Sequence, residues 1–275
     1  MEGGREAKME IRDKETSETE TSLRARMGQY SWYHCIEVLP GIETPGIEEF
    51  RPIQIPVIEA LRELPLAGGR VLDIGCRDGL FSLEAERLGA EEVVGIDNNL
   101  SQGAVEFLLP ALGSGIRMVS MNLMDLTPST FGEFDAIIFA GVLYHLRYPF
   151  HALRLIRDVM RDGAVMIIET AVYRAHEEVA LLHCPVGTDS PYEATSVTFF
   201  NLKGLIDTLS SFGIVVESHR YLMNDPQTAP IDRCTLICRF HKSAIDERLR
   251  QYWDGLHKTT FGGARVYLEN FKEFH

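Results

Sequence analysis

Short apolar runs alternate with segments of helical periodicity over residues 70–170, and this alternation limits the fold more than any other feature of the chain. The apolar runs have the length of strands and read RVLDIG, EVVGID, IRMVSM, FDAIIFAG and AVMIIET. Between several of them lie patterns such as GLFSLEAERLG and FHALRLIRDVM, in which apolar residues recur every three or four positions. Strands that alternate with helices in this way form a parallel sheet covered by helices on both faces. We therefore predict an α/β fold.

The composition predicts a soluble protein with one large domain. A chain of 275 residues can bury a single large core, and its hydrophobic content of 45% is ordinary for a globular protein. No apolar run approaches the roughly 20 residues that a membrane-spanning helix needs. The first residues contain neither an apolar signal core nor a cleavage site. We expect a cytoplasmic protein without a membrane partner.

The segments before the main domain differ from it in composition. Residues 1–21 contain almost no apolar side chains and predict a flexible tail, because they cannot bury enough surface to offset the entropy of ordering. Apolar spacing from Ser22 to about Val38 predicts an amphipathic helix. A loop rich in Gly and Pro follows. We expect this helix and loop, residues 22–52, to cover the functional site.

The main domain is expected over residues 53–243, with its first helix beginning near Gln54. Within it, residues 171–200 are too long for a simple connection and predict a lid over a binding site. Asn201 is expected to cap the helix that follows this lid. Residues 244–275 predict a C-terminal helix and tail.

Charge and cysteine usage narrow the partners of the chain. The net charge of −13 does not suit a protein that holds a phosphate backbone mainly by electrostatics. A small-molecule partner is therefore favoured over tRNA. The net charge does not exclude a local basic patch. The five cysteines are scattered without a CxxC pair, which argues against disulfides and zinc knuckles. The lid residues His176, Glu177, His183 and Cys184 match no standard metal spacing. No metal site is predicted.

A glycine-rich turn follows the first apolar run and predicts a nucleoside site. Gly75 and Gly79 lie where this strand passes into a helix, so the backbone can approach a ligand closely and the helix N-terminus adds N–H donors. Asp97, eighteen residues beyond Gly79, ends the next strand, where a carboxylate can accept hydrogen bonds from both hydroxyls of a ribose.

The motifs DIGCRDG, VVGID, FDAIIFAGVLYH and IIET, in this order, resemble those of class I S-adenosylmethionine (SAM) dependent methyltransferases over about residues 53–240. The resemblance implies a Rossmann-like sheet of seven strands, mostly parallel, whose last strand is antiparallel. It implies SAM as the cofactor and S-adenosylhomocysteine as its product.

The same resemblance implies which residues surround the cofactor. Asp73, Gly75 and Gly79 would lie around the methionine moiety, Asp97 at the ribose, and Asn122 with Leu123 at the adenine. The adjoining residues that complete the expected cofactor site are Cys76, Asn98 and Ala140. One position departs from the family pattern, because Arg77 replaces the usual middle glycine. The structural alternative is that Arg77 is a loop residue whose side chain points to solvent.

A narrower resemblance lies in WYHCIEVLPGIETPG and GVLYHLRYP, which are similar to the tRNA wobble-uridine carboxymethyl- or methoxy-modifying branch and its uncharacterised relatives. Enzymes of that branch use carboxy-SAM, whose extra carboxylate meets a tyrosine and a lysine. Tyr144 matches the tyrosine, but no residue in 41–56 matches the lysine segment. An unpaired buried carboxylate is costly, so ordinary SAM is favoured over carboxy-SAM.

Four residues are candidates for work on the acceptor. His145 follows the fourth apolar run, beside the expected position of the methyl group, and is a candidate general base. Tyr144 precedes it. Glu169 is expected to orient His145 or the acceptor, and His34 to close over the site from the N-terminal segment. Each has a structural alternative: His145 bracing its loop, Glu169 as a strand-end carboxylate, and His34 packing beside Trp32.

Three functions remain open from the sequence. The first is methyl transfer to a hydroxyl or amine of a small metabolite, sugar-like or of natural-product type. The second is modification of the tRNA wobble uridine. The third is SAM binding without catalysis. The sequence leaves the acceptor and the oligomeric state undetermined.

Overall fold

The computed structural model describes residues 20–192, 197–223 and 230–245. Its N-terminal segment begins with helix α1, residues 20–27, and continues through an extended stretch to a small hairpin. This hairpin consists of strands β1 (Glu37–Leu39) and β2 (Ile42–Glu43). The expected tail lies almost wholly outside the described residues.

The predicted helix from Ser22 to Val38 is wrong in its second half, because α1 ends at Met27. The indole Nε1 of Trp32 donates to the Met27 carbonyl at 2.8 Å, which turns the chain back at the helix end. Beyond it, the backbone is extended and forms hydrogen bonds with a distant carboxylate. Of the residues that gave the helical spacing, Met27 and Ile36 are nonetheless buried, at 1% exposure each, whereas Tyr33 is 38% exposed.

Strands and helices then alternate as predicted. The remaining elements, in chain order, are α2 (Arg51–Glu63), β3 (Arg70–Ile74), α3 (Leu80–Arg87), β4 (Glu92–Asp97), a π-turn at Ala104–Leu108 that continues into α4 (Leu109–Leu112), β5 (Arg117–Ser120), α5 (Pro128–Phe131), β6 (Phe134–Ala140), α6 (Pro149–Asp158), β7 (Met160–Tyr173), β8 (Leu182–His183), β9 (Phe199–Phe200), α7 (Leu202–Ser211), β10 (Ile214–Tyr221) and β11 (Ile231–Phe240).

Seven of the strands form one sheet in the order β10-β11-β7-β6-β3-β4-β5. The pairs from β7 to β5 are parallel, whereas β11 is antiparallel to both β7 and β10. The Rossmann-like sheet of seven strands with an antiparallel last strand is therefore confirmed. Because β11 runs against β7, its first residues lie at the edge where the parallel strands end.

Helices cover both faces of this sheet, as predicted. On one face, α6 and α7 bury residues such as Leu153 and Leu205 against β3 and β6. On the other, α2 and α3 bury Leu61 and Leu83 against the same strands. Helix α2 begins at Arg51, before the predicted start at Gln54, since Pro52 occupies its first turn, where proline is tolerated. No helix in the described part of the chain is long and apolar enough to cross a membrane.

The expected lid, residues 171–200, is shorter than predicted at its start because β7 continues to Tyr173. Strands β8 and β9 pair as a two-stranded hairpin within it. At the far end, the expected C-terminal helix falls mostly beyond the described residues, which close with a 3-10 turn at Lys242–Ala244.

Asn201 caps α7, as predicted, and also ties the lid to the domain. Its side-chain oxygen accepts hydrogen bonds from the backbone N–H of Gly204 at 2.7 Å and of Leu181 at 3.0 Å. Its amide nitrogen donates to the carbonyls of His176 and Val179 at 2.8 and 2.7 Å. A fully buried side chain therefore fixes both the start of a helix and the base of the lid.

Replacing Asn201 with Ala is expected to lower the free energy of unfolding by about 3 kcal/mol, because the helix loses its cap and buried lid groups lose their partners. Denaturant titration measures this. Asn99→Ala is the matched control, since the exposed Asn99 contributes only backbone groups to its hydrogen bonds; its effect should stay within about 0.5 kcal/mol. Equal effects of the two variants would contradict this account of Asn201.

Candidate active site

The turn after β3 has a backbone conformation that only a glycine accepts easily. Gly75, Arg77 and Gly79 have φ angles of 77°, 48° and 86°, all in the left-handed region. A Cβ on Gly75 would lie 2.3 Å from Cγ2 of Val142, which belongs to the loop after β6. The turn thus combines backbone strain with close packing at the centre of the sheet edge.

The carboxylate of Asp97, at the end of β4, stabilises this turn through hydrogen bonds. Its Oδ2 accepts a hydrogen bond from the backbone N–H of Arg77 at 2.9 Å, and its Oδ1 accepts one from Asn99 at 2.7 Å. The guanidinium of Arg77 donates to the Asn99 carbonyl and so is not a simple solvent-pointing group. The carboxylate retains lone pairs for further donors, as binding of a ribose requires.

Asp73 and Cys76 lie beneath the turn. The carboxyl of Asp73 is buried and accepts a hydrogen bond from Oγ of Ser82 at 2.6 Å. Burial raises the pKa of Asp73 to about 7, while the Ser82 hydroxyl opposes the shift. The Cys76 sulfur packs against Gly95, and burial raises the pKa of its thiol. The backbone of Cys76 also belongs to the turn, because its N–H donates to the Ile96 carbonyl at 3.2 Å and its carbonyl accepts from the Gly79 N–H at 2.7 Å.

The remaining predicted cofactor residues lie at neighbouring strand ends. Asn122 caps a 3-10 turn after β5 by accepting from the Met124 N–H at 2.9 Å, and Leu123 is buried there. Asn98 is exposed beside Asp97, and Ala140 ends β6. All the predicted cofactor residues therefore lie along the carboxyl ends of β3 to β6.

Glu169 pairs with a residue that the sequence analysis did not single out. Its two carboxylate oxygens accept hydrogen bonds from Nε and Nη2 of Arg233 at 2.7 and 2.6 Å, and a role of Glu169 in orienting His145 or the acceptor stays a prediction. The register explains the pairing, because Glu169 lies opposite Thr235 and Arg233 opposite Ala171 on adjacent strands. Burial tends to lower the pKa of Arg233, but the hydrogen bonds that its guanidinium donates to Glu169 hold this pKa above the ordinary value.

Aromatic rings collect next to this ion pair. The guanidinium carbon of Arg233 lies 4.5 Å from the ring centre of Tyr144, within cation–π distance. The centroid of Tyr144 is 4.0 Å from that of His145 and 4.8 Å from that of Tyr192. Burial raises the pKa of Tyr144 to about 12, although Arg233 opposes the shift. Tyr144 and His145 thus form one wall with lid residue Tyr192.

His34 is buried in the N-terminal segment beside Asp78. Its Nδ1 lies 3.4 Å from Oδ2 of Asp78, and its ring packs edge-on against Phe81 of α3 at 5.9 Å. Burial alone would raise the pKa of Asp78, but hydrogen bonds from His34 hold it below the ordinary value. This arrangement gives His34 a clear role in fastening the segment, and a catalytic role for it remains only a prediction.

Sequence reasoning missed Asp78, Tyr192 and Arg233. Asp78 lies inside the glycine motif, and a carboxylate next to a predicted ligand turn was a usable signal. Arg233 interrupts an apolar strand pattern, where a charged residue indicates a partner on a neighbouring strand. Tyr192 carries no comparable signal, because only the folded lid brings it to Tyr144.

A family model described as a methyltransferase domain matches residues 49–219. The chain belongs to this methyltransferase family. The match confirms the predicted class, and its range includes the glycine turn and Asp97. SAM, the predicted methyl donor, agrees with both the family and the fold.

The curated relatives match a shorter stretch. A tRNA U34 carboxymethyltransferase from Methylococcus capsulatus is 36% identical over 111 residues, covering 39% of this chain and 34% of the relative. One from Stutzerimonas stutzeri is 34% identical over 123 residues, covering 43% and 38%. The aligned part thus spans little more than a third of each relative.

Solved structures share the fold at low identity. The N-terminal domain of EvdMO1 with bound S-adenosylhomocysteine has a TM-score of 0.57 at 19% identity, covering 83% of this chain and 96% of that one. The 1,6-didemethyltoxoflavin-N1-methyltransferase of Burkholderia thailandensis, also with S-adenosylhomocysteine, has a TM-score of 0.54 at 17% identity, covering 70% and 79%.

Substituting Gly75 with Ala is expected to weaken S-adenosylhomocysteine binding at least about tenfold, because the new Cβ meets the rigid Val142 side chain and strains the turn. Calorimetric titration measures the affinity. Gly163→Ala serves as control, since Gly163 also has a left-handed φ but nothing lies within 4 Å of its Cβ position. That variant should lose stability and keep its affinity, and an unchanged affinity in Gly75→Ala would refute the assigned site.

The raised pKa of Asp73 is expected to make the free energy of unfolding depend on pH. Its pKa is about 7 in the folded protein and near 4 in an unfolded chain, so folding takes up a proton in this window and the contribution of Asp73 to stability declines as pH rises. The stability of the parent relative to Asp73→Asn should therefore fall between about pH 5 and about pH 8, as thermal unfolding would record.

Asp135→Asn supplies the control for that experiment. Burial tends to raise the pKa of Asp135, but hydrogen bonds from Arg70 and Arg161 hold it below the ordinary value. Its contribution is present above the unfolded pKa and is lost only as the pH falls below about 4. The parent's advantage over Asp135→Asn should thus stay constant from about pH 5 to about pH 8. A constant advantage over Asp73→Asn as well would contradict the assignment.

Proposed function

We propose that this protein transfers the methyl group of SAM to a hydroxyl or amine of a small, uncharged, ring-containing metabolite of sugar-like or natural-product type. The observation that carries the proposal is the aromatic wall of Tyr144, His145 and Tyr192 next to the Glu169–Arg233 pair. This wall lies beside Ala140, the last residue of β6, where the cofactor is expected to bind. The acceptor would therefore enter next to the methyl donor.

The charges of this region favour an uncharged acceptor. Glu169 and Arg233 are both buried or nearly so, and each neutralises the other through two hydrogen bonds. Introducing a further charge beside a compensated buried pair would leave that charge without a partner, which is costly. For the same reason, and because the lysine segment is absent, SAM suits the site better than carboxy-SAM.

Aromatic rings and a histidine supply the remaining chemistry. The rings of His145 and Tyr192 are more exposed than the buried Tyr144 beneath them, and a sugar or heterocycle can lie against them. Such positioning contributes much of the rate. His145 acts as the general base that removes a proton from an acceptor hydroxyl as the methyl group transfers to its oxygen. The solved EvdMO1 domain was also studied in the presence of S-adenosylhomocysteine and D-fucose, which is in keeping with a sugar-like acceptor for this fold.

The test follows labelled methyl groups from SAM into two acceptor pools, a small-molecule fraction of a cell extract and total tRNA. We expect label in the small-molecule fraction and release of S-adenosylhomocysteine. His145→Asn should lower this turnover by about a hundredfold without weakening S-adenosylhomocysteine binding. His219→Asn, on the exposed side of β10, is the matched control and should retain parental turnover.

The second candidate, modification of the tRNA wobble uridine, is favoured by the names of the curated relatives and by the matching Tyr144. With carboxy-SAM supplied in place of SAM, it predicts transfer of the labelled group to tRNA, and it predicts tRNA binding that weakens steeply with salt. Modification of tRNA alone, from either donor, would contradict the first proposal. Absence of turnover in both pools, with S-adenosylhomocysteine still bound, would favour the noncatalytic alternative.

A further inference from the structure

One residue of the turn after β3 holds the segment that follows β4 at three points. The backbone N–H of Arg77 donates to Oδ2 of Asp97 at 2.9 Å, and its carbonyl accepts from the N–H of Ser101 at 3.3 Å. Its guanidinium donates to the carbonyl of Asn99, which lies between the other two in sequence. Residues 97–101, here called the β4 loop, are therefore bound to Arg77 at both ends and in the middle.

The guanidinium makes the contact that depends on the identity of this residue. The two backbone hydrogen bonds of Arg77 are open to any residue at this position, whereas the bond to Asn99 requires its side chain. Asn98 and Asn99 are exposed, so packing contributes little to holding them. Hydrogen bonds from a charged donor are roughly twice as strong as those between neutral groups. The side chain of Arg77 therefore restrains the exposed middle of the β4 loop.

This restraint reaches the carboxylate of Asp97. The N–H of Asn99 donates to Oδ1 of Asp97 at 2.7 Å, while the carbonyl of Asn99 accepts from the guanidinium, so both polar groups of the Asn99 backbone are engaged. The other oxygen, Oδ2, accepts from the N–H of Arg77. Each carboxylate oxygen thus has one fixed donor and keeps a lone pair for a further one. Arg77 contributes to both of these fixed contacts, one directly and one through Asn99.

The backbone of Arg77 has a conformation that glycine adopts more easily. Its φ angle of 48° lies in the left-handed region, where a Cβ is strained. Among the described residues other than glycine, His176 is the second with a positive φ, at 53°. An arginine at position 77 therefore carries strain that a glycine would avoid. Its side-chain contact with Asn99 is what a glycine could not supply.

We propose that Arg77 is a positioning residue for the cofactor. Its guanidinium holds the β4 loop so that the Asp97 carboxylate is oriented to accept hydrogen bonds from both ribose hydroxyls of SAM. Without the guanidinium, the middle of the loop loosens and the contact with the ribose weakens, while contacts with the rest of the cofactor stay. The inference concerns the methyl donor and is independent of the acceptor. It rests on the predicted contact of Asp97 with the ribose.

The test measures the affinities of two ligands by calorimetric titration, S-adenosylhomocysteine and its dideoxyribose analogue, which lacks both ribose hydroxyls. The parent should bind S-adenosylhomocysteine at least about tenfold more tightly than the analogue. Arg77→Met keeps a long side chain and loses the guanidinium. It should bind S-adenosylhomocysteine about three- to tenfold more weakly than the parent does, as for one lost hydrogen bond, and bind the analogue within about twofold of the parent.

Arg77→Gly separates the side-chain contact from the backbone strain. It should melt about 2–4 °C above Arg77→Met, because glycine accepts the left-handed φ, yet lose affinity for S-adenosylhomocysteine to the same extent. His176→Gly is the matched control, since it relieves a left-handed φ at an exposed residue of the lid. Its affinities for both ligands should stay within about twofold of the parent.

The outcomes separate this inference from the assignment on which it rests. Parental affinity for S-adenosylhomocysteine in both Arg77 variants would overturn the positioning role and leave Arg77 as a loop residue. A loss that is equal for the two ligands would also overturn it, because the side chain would then not act through the ribose. A parent that binds both ligands equally well would show that Asp97 does not bind the ribose, and the role of Arg77 would fall with that assignment.

Discussion

The left-handed turn between β3 and α3 is the constraint on which the site depends. It lies at the end of a central strand, so its shape is set by the sheet, by Val142 from the loop after β6 and by the Asp97 carboxylate from β4. Three residues with positive φ within five positions carry strain, which these contacts offset. The turn also includes Asp78, whose carboxylate accepts hydrogen bonds from the backbone of Tyr33 and His34. It therefore joins the predicted cofactor site to the N-terminal segment.

Two of the buried carboxylates near the site have compensating partners close by. Glu169 pairs with Arg233, and Asp78 receives backbone N–H groups and lies beside His34. The net charge of −13 belongs mostly to the surface and says little about the interior of the site. It is this local neutrality, and not the overall acidity, that favours an uncharged acceptor.

The sequence was informative where a single segment determines its own structure. Alternating apolar and helical patterns predicted the sheet, and the spacing from Gly79 to Asp97 predicted the cofactor edge. It failed for residues 28–36, because the same spacing of Met27, Tyr30 and Tyr33 suits a helix in isolation, whereas hydrogen bonds to the distant Asp78 hold the chain extended. It also did not reveal the ion pair of Glu169, because Arg233 lies 64 residues away and only the antiparallel register brings the two together.

A crystal structure of the protein with S-adenosylhomocysteine would show whether the cofactor lies on the turn after β3. We expect the ribose hydroxyls on the Asp97 carboxylate, the homocysteine chain along the turn from Gly75 to Gly79, and the sulfur facing Tyr144 and His145. A ligand bound away from Asp97, or with its sulfur turned from these two rings, would show that the cofactor site is assigned wrongly.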